Sequence, residues 1–271
     1  MYAQGMKVGI FDSGLGGLFT LRAIAETLPK YDYVYLGDTK HLPYGSRSHD
    51  EIYQYLKEGL SFLFQNECGL VIVACNSASA EALKRVQSEY LPIHYPDRKV
   101  LGMIVPMTEA CASYDHVGLI ATLATVHSGA YEREFKKRTP HTRLTSLATP
   151  NLVPLIESGD HERVVASLKE YLAQLTDIDA LLLGCTHYAI VKDIIQKIVP
   201  TSVAIISQDT VVPLKTSDYL DRHPEIEKTL SRDGTKAFFV TSMSDRFREL
   251  AKDWFGEAII VQEVSLPEDV K

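Results

Sequence analysis

The sequence has no apolar run approaching the ~20 residues that span a bilayer, and its longer runs, such as Leu70–Cys75, are of strand length. No basic segment followed by a long apolar one occurs between Met1 and Asp12, so nothing there reads as a secretion signal. With 4 cysteines (Cys68, Cys75, Cys111 and Cys185) the chain cannot build a disulfide scaffold, and without an export signal its thiols are expected to be reduced in a cytoplasmic setting. Positive charge is in deficit. The net charge of −7, with no basic patch to override it, argues against nucleic acid as a partner. No membrane partner is expected either. What remains is an ordinary globular composition, 45% hydrophobic and 23% charged, over 271 residues, enough for about two domains at ~150 residues each.

Short apolar runs alternate with amphipathic segments, the pattern of an α/β fold with mainly parallel sheets. Lys7–Phe11, Tyr33–Leu36 and Leu70–Ala74 read as strands. Helices are expected from the turn Asp12–Gly17 through Leu28, from Glu51 to about Asn66 with Asp50 as N-cap and Gly69 as a nearby stop, and from Ala78 to Tyr90. The order then recurs. Val8–Ser13, Leu36–Thr39 and Leu70–Cys75 align with Val117–Thr122, Leu147–Pro150 and Ala180–Cys185, each about 110 residues later, a spacing too long for a solenoid. Three anchors with nearly one offset imply a duplicated βαβ half-domain. Pro92–Arg98 reads as a linker. Lys236–Val240 reads as a strand and Ser244–Phe255 as a helix stopped by Gly256, in a segment expected to return to the first half. The expected units are therefore 1–98 with 210–271, and 99–209.

Each half places a cysteine, Cys75 or Cys185, just after an apolar strand and before a helix. Ligands of open α/β sheets collect at the carboxyl ends of strands. A helix N-terminus there is expected to favour thiolate over thiol. Two thiols facing one ligand suit removal of a proton from one face and its return to the other, which is a racemisation. Cysteine is also a common buried small hydrophobe. That reading suits Cys68 and Cys111, which end no such strand. The absence of a Cys-x-x-Cys pair argues against redox chemistry, and Cys75, Cys185 and His187 lack an evident fourth zinc ligand.

Asn76-Ser77, Thr186-His187, Asp12-Ser13 and Thr122 add amide, hydroxyl, imidazole and carboxylate groups at the same strand ends. Singly, each Ser or Thr reads as a helix cap; together they can hold the carboxylates of a small ligand. His187 read alone is a hydrogen-bonded structural residue, but two positions after Cys185 it can tune that thiol. The glycines of Asp12–Gly17 do not fit Gly-x-Gly-x-x-Gly, so no dinucleotide loop is inferred.

Five strings, Gly9–Gly17, Leu36–Thr39 with Pro43–Gly45, Ala74–Ala80, Val153–Glu157 and Gly184–Tyr188, resemble the glutamate racemase family in the family's order. The resemblance implies two pseudosymmetric, doubly wound α/β domains with the active site in the cleft between them enclosing glutamate, and with no pyridoxal phosphate, no other cofactor and no metal. It implies Cys75 and Cys185 as the acid/base thiols, Asp12 supporting the first, and Glu157 and His187 supporting the second. Ser13, Pro43, Tyr44, Gly45, Asn76, Ser77, Thr122, Thr125, Thr186 and His187 match substrate contacts, with Asp12 beside them. The implied role is supply of D-glutamate for peptidoglycan by a homodimer whose arrangement the sequence does not fix. Ser77, Ala121, Ala189 and Val105 stand where the family usually has Thr, Gly, Pro and Glu. The long N-terminal extension of precursor-activated members is lacking, so that regulation is not implied. Three other readings remain open: a racemase of aspartate or another amino acid, an inactive amino-acid-binding relative, and a cysteine hydrolase using Cys185, His187 and Glu157.

Overall fold

A computed structural model of the chain describes residues 5–255 and 259–267. Ten strands form two sheets in which every pairing is parallel. Six of them, β1 (Lys7–Asp12), β2 (Tyr33–Gly37), β3 (Cys68–Val73), β4 (Lys99–Gly102), β9 (Lys236–Val240) and β10 (Val261–Glu263), make the first sheet in the order β10-β9-β2-β1-β3-β4. The second sheet runs β6-β5-β7-β8, from β5 (His116–Ala121), β6 (Arg143–Ala148), β7 (Ala180–Gly184) and β8 (Ala204–Ile206). The central order 2-1-3-4 of one sheet is thus repeated as 6-5-7-8 in the other. The duplication read from the sequence is a duplication of strands.

Parallel strands need crossover helices, which cover both faces of each sheet. β3 and β5 are accordingly buried along their whole length. Val8 and Ile10 of the first sheet and Leu119 and Leu182 of the second belong to one continuous core, so the halves share an apolar interior. No helix among the described residues is long and apolar enough to cross a membrane.

Four local expectations change. The helix His49–Gln65 starts at Ser48, not Asp50, because Ser48 and Glu51 form a reciprocal capping box. That helix ends at Asn66, and Gly69 lies inside β3 rather than acting as a stop. The single helix expected over Ala78–Tyr90 begins two residues earlier, capped by Cys75, and is interrupted at Ala82 before a π-helical turn over Val86–Tyr90. The sheet also runs past the boundary expected after Arg98, since Lys99–Gly102 pairs with Leu70–Val73. β9, β10 and the helix Asp245–Phe255 return to the first sheet's side, where that helix packs on Gly17–Thr27. Gly256, expected to stop it, lies outside the described residues, as do the ends of the first unit at 1–4 and 268–271.

Candidate active site

In each sheet the strand order reverses beside the central strand, between β1 and β3 in one and between β5 and β7 in the other. A crevice opens at the carboxyl ends of such a pair because the two connections leave in opposite directions. Asp12-Ser13 and Cys75 flank the first switch point, and Thr122 and Cys185 the second. The two crevices face each other. Ser13, Pro43, Tyr44, Gly45, Cys75, Asn76, Ser77, Thr122, Cys185, Thr186 and His187 line a single cavity of about 120 Å³ between them. That is well above the ~10–15 Å³ one water requires and below the ~300–1,000 Å³ of a drug-sized pocket, so it suits a small metabolite. Among the described residues, no lysine or arginine side chain lines it.

Cys75 is buried at the start of the helix Asn76–Glu81, where its Sγ accepts the Ala78 N–H at 3.4 Å and its thiol donates to Ser13 Oγ at 3.4 Å. The expected thiolate preference is not what the structure gives. Burial and the neighbouring Asp12 carboxylate outweigh the hydroxyl and the helix N–H, pushing the thiol up to about 12. Cys75 is therefore a neutral acid in the ligand-free protein. Cys185 ends β7, with its Sγ 3.8 Å from His187 Nδ1. On the other side of that ring, Nε2 lies 2.8 Å from Glu157 Oε1 in the helix Leu152–Ser158. Burial disfavours charge on His187, but hydrogen bonds to Cys185 and Glu157 prevail and raise its proton affinity well above the ordinary imidazole value.

Asp12, Glu157 and Thr125 stand behind the cavity wall. Asp12 is fully buried and accepts N–H bonds from Gly14 and Gly17 at 3.2 and 3.0 Å and the Thr186 hydroxyl at 3.4 Å. Burial dominates and leaves its carboxyl above the usual range, although His187 and those donors pull it down. Its hydrogen bond crosses to the Cys185 turn, while it faces Cys75 electrostatically. The Ser77, Thr122 and Thr125 hydroxyls form a triangle, at 2.9 Å for Ser77–Thr122, 3.0 Å for Thr122–Thr125 and 3.4 Å for Ser77–Thr125. Ser77 thus keeps the hydroxyl function at its position. Asn76 lines the cavity as well, and its amide accepts Tyr131 OH at 2.8 Å and donates one N–H to Gln208 at 3.2 Å.

The sequence reading missed Leu42, Ser46, Leu123, Pro150, Val153 and Pro154, which complete the wall. Of these, Val153-Pro154 carried a signal inside the Val153–Glu157 string, and Pro150 one at the end of the repeat anchor Leu147–Pro150. Gly16 was also missed. A Cβ there would lie 2.4 Å from Thr186 Oγ1 and 2.8 Å from His187 N, so only glycine permits this approach of β1's turn to the Cys185 turn. Of the atypical positions, Ala121 and Ala189 are buried, whereas Val105 lines a different cavity, of about 730 Å³.

Two facing switch points, each ending in a cysteine, define a two-domain racemase-type architecture. The Asp/Glu/Hydantoin racemase family pattern matches residues 18–211, and the chain belongs to that family. It is 39% identical to a glutamate racemase of Roseobacter denitrificans over 94% of this chain and 98% of that one. Identity reaches 42% with a glutamate racemase of Paracoccus denitrificans, over 82% and 87% of the two chains. Among solved structures, glutamate racemase RacE1 of Bacillus anthracis superposes with a TM-score of 0.87 at 31% identity, covering 97% of this chain and 99% of that chain. Glutamate racemase of Francisella tularensis, solved with D-glutamate, gives 0.86 at 30% identity, covering 96% and 98%.

Proposed function

We propose that this protein interconverts L- and D-glutamate by proton transfer at the α-carbon, with Cys75 and Cys185 as the two acid/base groups. The observation that carries the reading is the placement of both sulfurs, from corresponding strands of two sheets, on one small cavity. The chain's similarity to glutamate racemases over nearly its whole length supports glutamate as the substrate.

The substrate carboxylates are held by the hydroxyls of Ser13, Ser77, Thr122 and Thr186 and by N–H groups at the helix starts after Cys75 and Thr122, with Tyr44 and Gly45 closing one wall. Bound glutamate also brings an ammonium group beside Cys75, whose sulfur burial keeps neutral, and an adjacent positive charge favours thiolate. One thiolate then takes the α-proton while the opposite thiol supplies a proton to the other face. Each turnover leaves the two sulfurs with exchanged protonation states. Asp12 lies against the Cys75 side; His187, held by Glu157, lies against Cys185. The carbanionic transition state forms among fixed dipoles in a small cavity from which bound substrate displaces water, where electrostatic stabilisation is strongest.

The same reading assigns the chain to D-glutamate supply for peptidoglycan, in the cytoplasm and as a homodimer. Its two lobes are the expected units, 1–98 with 210–271 and 99–209, with Lys99–Gly102 transferred to the first. The test is incubation in D₂O with L- or D-glutamate, or with aspartate, while α-proton exchange and the product's circular dichroism are followed. Exchange and loss of optical activity with both glutamate enantiomers are expected. Inertness toward both, or preference for aspartate, overturns the assignment.

A further inference from the structure

His187 sits on the turn after β7, yet the aromatic ring packed against it comes from the first sheet's side. Trp254, in the helix Asp245–Phe255, meets the imidazole edge to face, with ring centroids 5.8 Å apart and an interplanar angle of 89°. Both side chains are buried, at 3% exposure for His187 and 6% for Trp254. The backbone that carries the indole is tied down: Arg22, in the helix Gly17–Thr27, donates to the Trp254 main-chain carbonyl at 3.2 Å. At the head of that same helix, Gly16 closes directly on His187.

Two hydrogen bonds in the plane of the imidazole, to Cys185 and Glu157, set where its nitrogens point, and the bond to sulfur is long at 3.8 Å. They do little to resist tilting of the ring out of that plane. An edge-to-face aromatic contact does resist it. The titratable groups facing the imidazole are Cys185 on its own turn, Glu157 from the helix Leu152–Ser158, and Asp12 at the end of β1.

We infer that Trp254 is a positioning residue for His187, holding the imidazole plane against Cys185. The orientation of an imidazole in one lobe thereby depends on the helix Asp245–Phe255 of the other. The kinetic part of this inference rests on the racemase reading; the spectroscopic part does not.

Trp254 is the single tryptophan of the chain, so indole emission reports on one residue beside His187. An imidazolium quenches a neighbouring indole more strongly than neutral imidazole. Emission from the intact, ligand-free protein is therefore expected to increase as pH rises through the His187 titration, and this step is expected to vanish in His187→Gln. In turnover, Trp254→Leu is expected to lower kcat roughly tenfold, the scale of a small misplacement of a catalytic group, with KM little changed and a displaced pH profile. Trp254→Phe, which restores an aromatic edge, is expected to recover most of the rate. A pH-independent emission, the same titration in His187→Gln, or wild-type kcat and pH profile in Trp254→Leu overturns the inference. Should Trp254→Leu fail to fold, the emission comparison with His187→Gln decides alone. Should glutamate prove not to be the substrate, the emission step still does.

Discussion

The hydroxyl of Ser77 lies 2.9 Å from that of Thr122, joining the helix starts that follow β3 and β5. The two sheets therefore meet at the rim of the cavity through neutral hydroxyls, which can exchange their mutual bonds for bonds to a carboxylate at little cost. Ser77→Ala is expected to leave Thr122 and Thr125 paired with each other but remove one donor from the rim. A net loss of about 1 kcal/mol per neutral hydrogen bond corresponds to a several-fold rise in KM for glutamate with a smaller change in kcat. Steady-state racemisation assays check this.

Replacement of either sulfur by oxygen removes an acid/base group while preserving shape. Cys75→Ser and Cys185→Ser are each expected to lose racemisation by at least ~10²–10⁴-fold, the usual contribution of a positioned acid or base. Circular dichroism of the glutamate pool measures it. Either variant racemising at the wild-type rate would remove that residue from the mechanism.

Glu157 raises the proton affinity of His187 by accepting its Nε2–H at 2.8 Å. In Glu157→Gln the opposing desolvation remains and the carboxylate is gone, so the imidazole is expected to titrate at lower pH. The sign of the stability effect follows. His187 has a folded-state pKa above its unfolded one, so its contribution is complete below the unfolded value and fades as pH rises through the folded value. Stability lost in Glu157→Gln should therefore be larger in mildly acidic buffer than in strongly alkaline buffer. Imidazole NMR titration and thermal melts across pH read the two effects.

Three buried thiols, Cys68, Cys75 and Cys111, are each pushed by burial from 9.0 up to about 12. Between those limits the unfolded chain releases protons that the folded chain retains. Folding stability is therefore expected to fall steadily as pH rises above 9, with denaturant midpoints at pH 8 and pH 10 making the comparison. A midpoint unchanged between the two would contradict the neutral resting state assigned to Cys75.

Gly16→Ala drives a methyl group to 2.4 Å from the Thr186 hydroxyl oxygen and 2.8 Å from the His187 backbone nitrogen. The backbone cannot yield there without parting β1's turn from the Cys185 turn. Overpacking of this kind costs about 1–3 kcal/mol, and the variant should lose both melting temperature and activity. A variant with wild-type melting and turnover would show that the two turns separate freely.

The strand residues, the duplicated order and the two cysteines were legible from the chain alone, because apolar runs of strand length and residues at strand ends are local patterns. Cys75, Cys185 and their flanking polar residues were likewise visible as a set. What each group does to its neighbours was not. A helix start beside Cys75 argued for a thiolate, whereas burial and Asp12, brought together only on folding, make it a weak acid. Ser48 displaced Asp50 as a cap because its partner Glu51 answers it, a local signal that the N-cap reading passed over.

From the amino-acid order come the parallel α/β class, the internal repeat and the identity of the facing thiols, since these depend on periodicity and on residue type. Folding alone determines which lobe each element joins, as with Lys99–Gly102. It also determines the long-range pairs: Asn76 with Tyr131 and Gln208, Gly16 with His187, and Trp254 with the same imidazole. Such contacts link residues tens to hundreds of positions apart, and proton affinities follow from burial and from nearby charge. Neither quantity exists until the two sheets close on each other.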